Sequence, residues 1–203
     1  MATTDHNPVQ DRVETTARVE TAIQDSIAVR ERLLDEMSVA AVVSAAEMVT
    51  RSLARGGKLL LFGNGGSASD ASHIAAEFVG RFQRERRAFP AISLAANQSS
   101  LTAIGNDYGF EHVFARQVEA FAAPGDVAIA ISTSGRSANV LAAVRCAQRL
   151  GLGTIGLTGE TGGELGALVD ICLRIPASST ARVQEGHILL AHVLCELVER
   201  ELA

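Results

Sequence analysis

Tryptophan is absent from this chain of 203 residues, aromatic residues of all kinds make up 4%, and proline occurs four times. The three cysteines, Cys146, Cys172 and Cys195, are odd in number and far apart, which argues against a disulfide framework and a cysteine-rich zinc site. No run approaches the roughly 18 uninterrupted apolar residues of a membrane span, and the first residues show no secretory pattern. We therefore expect a cytoplasmic protein with no membrane partner.

Positive charge is also scarce. Lysine and arginine number 18 against 23 aspartate and glutamate residues, which gives a formal net charge of −5. A mildly acidic chain is a poor candidate for a nucleic-acid binder, so no nucleic-acid partner is expected. The composition, 47% hydrophobic and 20% charged, is that of a globular protein, and the length fits one domain with an appendage.

Glycine and proline are missing from residues 11–55, where apolar positions recur at helical spacing. This pattern predicts two helices with a break near 35–38. We assign residues 1–55 to an N-terminal helical extension and residues 56–203 to the principal domain. A helical pair that precedes the first strand cannot be a crossover, so it must pack outside the sheet or on another subunit.

Five short apolar runs, each typical of a buried strand, alternate with segments of helical periodicity in the rest of the chain. The predicted strands are 58–62, 91–94, 126–131, 153–157 and 170–175, and the clearest predicted helices are 69–81, 137–150 and 182–199. Parallel neighbours require crossover connections of this kind. The fold class predicted is α/β, a doubly wound, mostly parallel five-stranded sheet with an N-terminal helical pair and a long C-terminal helix.

Two loops have the composition of a phosphate site. Residues 63–69 (GNGGSAS) leave the first strand and enter a helix, whose N-terminus favours an anion. This loop lacks the lysine of a Walker A motif, and the acidic residue of a dinucleotide fingerprint would be Glu85, which lies among arginines. Residues 132–137 (STSGRS) place four hydroxyls and a glycine after the third strand. Ordinary turn chemistry, with Ser137 as a helix cap, is the alternative.

Titratable residues lie on two of the predicted helices. His73 and Glu77 are four residues apart and about 40° apart around the helix, among apolar neighbours that would partly desolvate the carboxylate and suit it to general-base work. A simple surface pair is the alternative. On the last helix Gln184 and His192 differ by about 80°, whereas His187 is about 140° from His192, so the two histidines are not expected to share a site. A lone histidine on such an apolar helix is more often a core residue.

Two further polar groups have simpler explanations. Asn106 and Asp107 follow a glycine and indicate a turn before they indicate a ligand contact. The basic cluster around Glu85 is interpreted as a solvated face, because charge runs mostly lie on the surface. Its members are Arg81, Arg84, Arg86 and Arg87.

Five blocks in the same order resemble the phosphoheptose isomerases of the sugar isomerase (SIS) domain class. The blocks are GNGGSASDASHIAAEFVGRF, AIGNDYGFEHVFARQVEA, GDVAIAISTSGRSANVL, TGETGG and ARVQEGHILLAHVLCEL, and the resemblance runs from about Arg51 onward. It implies the SIS fold, with residues 56–203 as a sugar-phosphate isomerase domain. It also implies conversion of sedoheptulose 7-phosphate to D-glycero-D-manno-heptose 7-phosphate through an enediolate, a cytoplasmic homotetramer with sites between subunits, and one zinc ion per subunit.

The resemblance also implies roles for individual residues. Glu77 would be the catalytic base and His192 the acid. The metal ligands would be His73, Glu77, Gln184 and His192. Contacts to substrate, chiefly to its phosphate, would come from Asn64, Gly65, Gly66, Ser67, Glu77, Asn106, Asp107, Ser132, Thr133, Ser134, Ser137 and Gln184. Ala181 stands where some members have an aspartate, which leaves one substrate contact in doubt.

Two alternatives of other classes remain open. A non-enzymatic relative, the bacterial replication-initiator-associating protein, is similar in the blocks LTAIGND and STARVQ, which include Ala181. That group tends to lack the glutamate and the second histidine, so the presence of Glu77 and His192 favours the enzyme. A regulatory SIS domain that only senses sugar phosphates would have no use for a base and an acid.

Overall fold

The fold is described by a computed structural model over residues 8–203, with side chains from Arg12 onward. Residues 1–7, the start of the predicted N-terminal extension, lie outside the described part. The described elements are, in chain order, α1 (Pro8–Arg32), α2 (Glu36–Ala54), β1 (Leu59–Gly63), α3 (Gly66–Val79), β2 (Ala91–Ser93), α4 (Gln98–Tyr108), a 3-10 turn (Phe110–His112), α5 (Ala115–Phe121), β3 (Val127–Ile131), α6 (Ala138–Arg149), β4 (Gly153–Thr158), α7 (Leu165–Leu168), β5 (Ile171–Arg174) and α8 (Thr180–Leu202).

The described strands form one five-stranded sheet in the order β2-β1-β3-β4-β5, and all neighbouring pairs are parallel. The predicted doubly wound sheet with a helical pair before it and a long helix after it is confirmed. Each predicted strand agrees with the structure to within one residue at either end. The sheet is parallel throughout the described residues rather than mostly parallel, because helical crossovers link its strands.

Alternate residues of the strands supply two cores, one on each face of the sheet. In β1, Leu59 and Leu61 pack on the side of α2, α3 and α8, while Leu60 and Phe62 pack on the side of α5 and α6. Fully buried strands of this kind are typical of a parallel sheet covered by helices on both faces.

The two N-terminal helices meet at the predicted break. Asp35 caps α2, and its side chain accepts a hydrogen bond from Ser38 N. By length and composition alone α2, with 19 residues and a mean hydropathy of 1.2, could cross a membrane. In the structure its inward residues, Val42, Ala45, Val49 and Leu53 among them, are buried in the core, so α2 is a packing element of the fold.

Helix α1 is held at its C-terminal half. Ser26 Oγ donates to Glu185 Oε2 at 2.7 Å, and Val29 and Leu33 are buried. Further toward its start, Val19, Ile23 and Ile27 follow one another at four-residue spacing and are 55%, 56% and 48% exposed. Residues at this spacing lie on one face of a helix, so α1 presents an apolar stripe that the described residues of this chain do not cover.

The chain leaves β1 and β3 toward opposite faces of the sheet. Helix α3, which follows β1, packs in one core and α6, which follows β3, packs in the other. Neighbouring parallel strands that diverge in this way leave a crevice at their carboxyl ends, which is where ligands bind in open α/β sheets. Both hydroxyl- and glycine-rich loops lie at this crevice.

Candidate active site

The first loop turns directly from β1 into α3. Gly65 has a φ of +56°, a conformation that residues with a side chain rarely adopt. No side chain caps α3, and the amides of Ser67 and Ala68 donate to the carbonyls of Asn64 and Gly65. The positive end of the helix dipole therefore has no side-chain acceptor of its own, which suits the binding of an anion.

The second loop follows β3 and is built around hydroxyl contacts. Ser132 is buried, and its Oγ lies 3.1 Å from Ser137 Oγ. Ser137 does occupy the cap position of α6, but its side chain makes no capping hydrogen bond, so ordinary capping does not explain it. Gly135 has a φ of +63°, and a Cβ there would overlap the carbonyl oxygen of Gly162 in the loop after β4. Ser134, in the same turn, is exposed.

A reciprocal pair of side-chain amides joins the two loops. Asn64 Nδ2 donates to Asn139 Oδ1, and Asn139 Nδ2 donates to Asn64 Oδ1, both at 2.8 Å. Asn139 is 3% exposed, and the sequence-based reasoning missed it. The available signal was an amide side chain at an inward position in the first turn of α6. A buried polar group of this kind is usually hydrogen-bonded to a defined partner. The pair holds the two predicted phosphate loops side by side.

Helices α3 and α8 lie next to each other and run in the same direction. Near the start of both, Gln184 lies against Gly66, so closely that a Cβ at Gly66 would overlap the side-chain amide. About two turns further, His73 faces His192. The two helices therefore line a groove that begins at the first loop and continues to these histidines. The predicted role of Gln184 as a metal ligand stays a prediction.

Three side chains converge in this groove. His73 Nε2 lies 3.0 Å from His192 Nε2 and 3.4 Å from Glu77 Oε1, and one donor atom of each residue lies within 4.8 Å of the others. The side chain of His73 is 49% exposed and that of Glu77 is 22% exposed, so the group opens to the surface. Ligands about 2.0–2.1 Å from a tetrahedral zinc ion are about 3.3 Å from one another. In chemistry and in spacing, this group could hold a metal ion.

The arginine cluster departs from its predicted exposure at one residue. Arg81, Arg84 and Arg87 are exposed as predicted, but the side chain of Arg86 is 3% exposed and pairs with Glu199 at 3.1 Å. The interpretation as a solvated face is wrong for Arg86, because α8 supplies a buried carboxylate opposite it. Burial alone would raise the pKa of Glu199, but hydrogen bonds from backbone amides and the Arg86 charge hold that pKa below its ordinary value.

His187 lies on another side of α8 from His192, as the helical angles predicted. It is fully buried, and its Nε2 donates to the carbonyl oxygen of Thr158 at 3.1 Å. Its Nδ1 is buried with no hydrogen-bond partner among the described residues. Burial lowers the pKa of His187 to about 4, so the ring is neutral at ordinary pH.

Asn106 and Asp107 are placed in a helix rather than in the turn that the sequence indicated. They occupy the last turn of α4, both are exposed, and Asn106 Nδ2 donates to Asp107 Oδ1 at 2.8 Å. The turn follows at Gly109, whose φ is +91°. Ala181 is exposed in the first turn of α8. The substrate contacts expected of Asn106 and Asp107 stay predictions.

Comparison with known proteins gives one consistent family. Residues 23–159 match the SIS domain family. The phosphoheptose isomerase of Roseiflexus sp. is 58% identical over 89% of this chain and 91% of its own length, and that of Geotalea daltonii is 53% identical over 86% and 90%. Among solved structures, the phosphoheptose isomerase from Neisseria gonorrhoeae matches with a TM-score of 0.86 at 43% identity, covering 92% of this chain and 99% of that one. The one from Francisella tularensis gives 0.88 at 35% identity, covering 92% and 98%.

Proposed function

Because the chain belongs to the SIS domain family and, within it, to the phosphoheptose isomerases, we propose that this sugar-phosphate isomerase converts sedoheptulose 7-phosphate to D-glycero-D-manno-heptose 7-phosphate. The observation that carries the proposal is the meeting of Glu77 and His73 with His192, from two helices far apart in the chain, in a groove that begins at the phosphate loops. The non-enzymatic alternative is not favoured, since the curated relatives are isomerases and both the base and the acid are present.

The phosphate of the substrate is assigned to the two loops. Gly65 and Gly66 supply backbone amides at the open start of α3, and Ser67, Ser132, Thr133, Ser134 and Ser137 supply hydroxyls. Neutral donors of this kind bind a phosphate through several hydrogen bonds and the helix dipole, without a lysine. The amide pair of Asn64 with Asn139 supports this assignment, because it fixes the distance between the loops.

The spacing along α3 favours a long substrate. A helix rises about 1.5 Å per residue, so His73 lies about 10 Å and Glu77 about 16 Å along the axis from Gly66. An open-chain sugar that carries its phosphate and its carbonyl at opposite ends can occupy both ends of such a groove at once. A heptose 7-phosphate has this form and extends about as far as His73, beside which the Glu77 carboxylate lies, whereas a triose phosphate is too short to reach from the loops to the base.

The proton transfers are assigned to two side chains. Glu77 takes the proton from the carbon next to the ketose carbonyl, while His192 gives a proton to the carbonyl oxygen, and an enediol forms. Glu77 then returns its proton to the former carbonyl carbon, and His192 receives the proton of the hydroxyl group that becomes the aldehyde. Glu77 Oε1 is the oxygen that faces His73, at 3.4 Å, so the other carboxylate oxygen is available to the substrate.

A zinc ion is proposed in the group formed by His73, Glu77 and His192, with Gln184 as the predicted fourth ligand. Two imidazoles and a carboxylate are donors that zinc commonly takes, and their spacing fits. When bound, such an ion would polarise the carbonyl oxygen of the substrate. Independently of a metal, the contact between the two Nε2 atoms at 3.0 Å orients both rings, because one ring must donate and the other accept.

The protein is further proposed to be a cytoplasmic homotetramer with its sites between subunits. The exposed apolar stripe of α1, formed by Val19, Ile23 and Ile27, supports association of this chain with copies of itself. The half-exposed position of His73 agrees with a site that a neighbouring subunit helps to close.

One assay tests the proposed reaction and its base. The wild type, incubated with sedoheptulose 7-phosphate, is expected to form an aldoheptose phosphate. Glu77→Gln keeps the size of the side chain but removes the basic carboxylate, so its turnover should fall by about 10²- to 10⁴-fold while the substrate still binds. Glu47→Gln, on an exposed face of α2, is the matched control and should turn over normally. An inactive wild type overturns the function, and full turnover by Glu77→Gln overturns the mechanism.

A further inference from the structure

A buried ion pair lies just beyond the proposed catalytic groups, at the ends of α3 and α8. The side chains of Arg86 and Glu199 are each 3% exposed, and Arg86 Nε lies 3.1 Å from Glu199 Oε1. Buried ion pairs contribute little net stability, because desolvation of the charges offsets their attraction. What distinguishes this pair is the set of backbone groups that it holds.

Glu199 organises the loop that follows α3. Its carboxylate accepts hydrogen bonds from three successive backbone amides, Phe82 N at 2.9 Å, Gln83 N at 2.7 Å and Arg84 N at 2.8 Å. The loop is thereby wrapped around the end of α8. Phe82, the first of the three, places its ring against the imidazole of His192, with ring centroids 5.4 Å apart. One face of the His192 ring therefore packs against a loop whose backbone is fixed by hydrogen bonds to Glu199.

Arg86 organises the end of α3 itself. Its Nη2 donates to the carbonyl oxygen of Glu77 at 2.8 Å, and its Nη1 donates to those of Phe78 at 3.0 Å and Gly80 at 3.2 Å. The first two carbonyls belong to the last turn of α3 and that of Gly80 directly follows it, where carbonyls have no partner within the helix. The guanidinium also lies 4.1 Å from the centre of the Phe89 ring, so it is fixed on a further side. The backbone of the proposed base is thus fastened by Arg86.

We propose that Arg86 and Glu199 are positioning residues that hold the Glu77 carboxylate and the His192 imidazole in register across the groove between α3 and α8. This inference rests on the proposed function, because it assumes that those two groups transfer protons. Among the described residues, Arg86 alone both bonds to the backbone carbonyl of Glu77 and pairs with Glu199, the carboxylate that holds the loop packed on His192. The ion pair therefore joins the two helices. A displacement of about 1 Å at reacting groups can cost about 10²-fold in rate.

The test compares two buried carboxylates that differ in location. Asp126 resembles Glu199 closely: it is 2% exposed, its carboxylate accepts from Lys58 N and Ala123 N, and it pairs with Lys58 Nζ at 2.7 Å. It lies just before β3, and its partners, Lys58 and Ala123, belong neither to α3 or α8 nor to the loop that follows α3. Glu199→Gln and Asp126→Asn each replace a carboxylate by an amide of the same size. Both are expected to lower the melting temperature.

Only Glu199→Gln is expected to slow the reaction. Assayed at a temperature where circular dichroism shows both variants folded, Glu199→Gln should lower kcat by about 10- to 100-fold and leave KM within about twofold, since the phosphate loops lie at the other end of the groove. Asp126→Asn should keep both parameters within about twofold of the wild type. Wild-type kcat in folded Glu199→Gln, or an equal loss of kcat in both variants, overturns the proposal.

A second variant and a second readout keep the test decisive. Arg86→Lys retains the positive charge but lacks the fork that reaches the carbonyls of Glu77, Phe78 and Gly80, and it should lower kcat as Glu199→Gln does even if the latter fails to fold. The ring protons of His192 report position without turnover, because the ring current of Phe82 displaces their nuclear magnetic resonance signals. These signals should shift in Arg86→Lys or Glu199→Gln and not in Asp126→Asn. If the wild type is inactive, the proposed function fails, and unshifted His192 signals in both variants separately overturn the positioning role.

Discussion

Acid should destabilise this protein through one histidine. His187 is fully buried, and burial lowers its pKa to about 4 from an ordinary value of 6.5. Its Nε2–H donates to the carbonyl oxygen of Thr158, while Nδ1 has no partner among the described residues. A proton added to Nδ1 would therefore create a buried charge with no acceptor to stabilise it.

The sign and size of the effect follow from proton linkage. Between pH 6.5 and about 4 the unfolded chain binds a proton at His187 that the folded chain does not, so the free energy of unfolding falls as the pH falls through that window. At about 1.4 kcal/mol per pKa unit, the loss amounts to about 3 kcal/mol once both forms are protonated. Below about pH 4 the two states bind the proton equally, and this contribution stops changing.

Urea unfolding at a fixed protein concentration, at about pH 7 and at about pH 4.5, measures the loss in the free energy of unfolding. His187→Gln removes the titrating group but keeps an N–H donor for Thr158, so its stability should fall less over this window than that of the wild type. His112→Gln is the control, because the side chain of His112 is 47% exposed, and it should follow the wild type. If His187→Gln loses as much stability as the wild type, the buried neutral histidine is not the cause of acid sensitivity.

Four further outcomes are expected. His73→Ala should lose bound zinc, because it removes one of few ligands, whereas His187→Ala should keep it; equal zinc in elemental analysis of both contradicts the ligand set. Ser134→Ala should raise KM for sedoheptulose 7-phosphate more than it lowers kcat in steady-state kinetics, because it removes a proposed phosphate contact. Gly135→Ala should lower the urea-derived stability by at least about 1 kcal/mol, since its φ is +63° and its Cβ would overlap Gly162; unchanged stability contradicts this. Light scattering at micromolar concentration should give a tetramer, and a clean monomer contradicts a site shared between subunits.

The sheet could be predicted because its signal is local. Each strand is a short apolar run beside a glycine or a turn, and a fully buried parallel strand needs nothing else. Helix α4 was not predicted, since Gly105 and the Asn106–Asp107 pair favour a turn. In the structure Leu101 and Ile104 pack on the second core, and this tertiary contact overrides the local preference.

The groups of the site were predictable one helix at a time, but their contacts were not. Helical periodicity places His73 beside Glu77 and separates His187 from His192, yet the way that α3 packs on α8 decides which faces meet. Contacts between residues far apart in the chain were the hardest to predict. Arg86 was assigned to the surface because its buried partner, Glu199, is 113 residues further along the chain. Asn139 was missed for the same reason, since its partner Asn64 is 75 residues away.

The pairing of α3 with α8 also sets the order in which the protein can mature during synthesis. His73 and His192 are 119 residues apart, and all the described strands lie between α2 and α8 in the chain. A ribosome can therefore complete the parallel sheet and both loops before the second wall of the groove has been made. Until α8 docks, one face of the sheet lacks part of its helical cover, and the proposed base on α3 has not met the proposed acid on α8. Any metal taken up by the three-residue group is thus selected by the finished fold and not by the nascent chain.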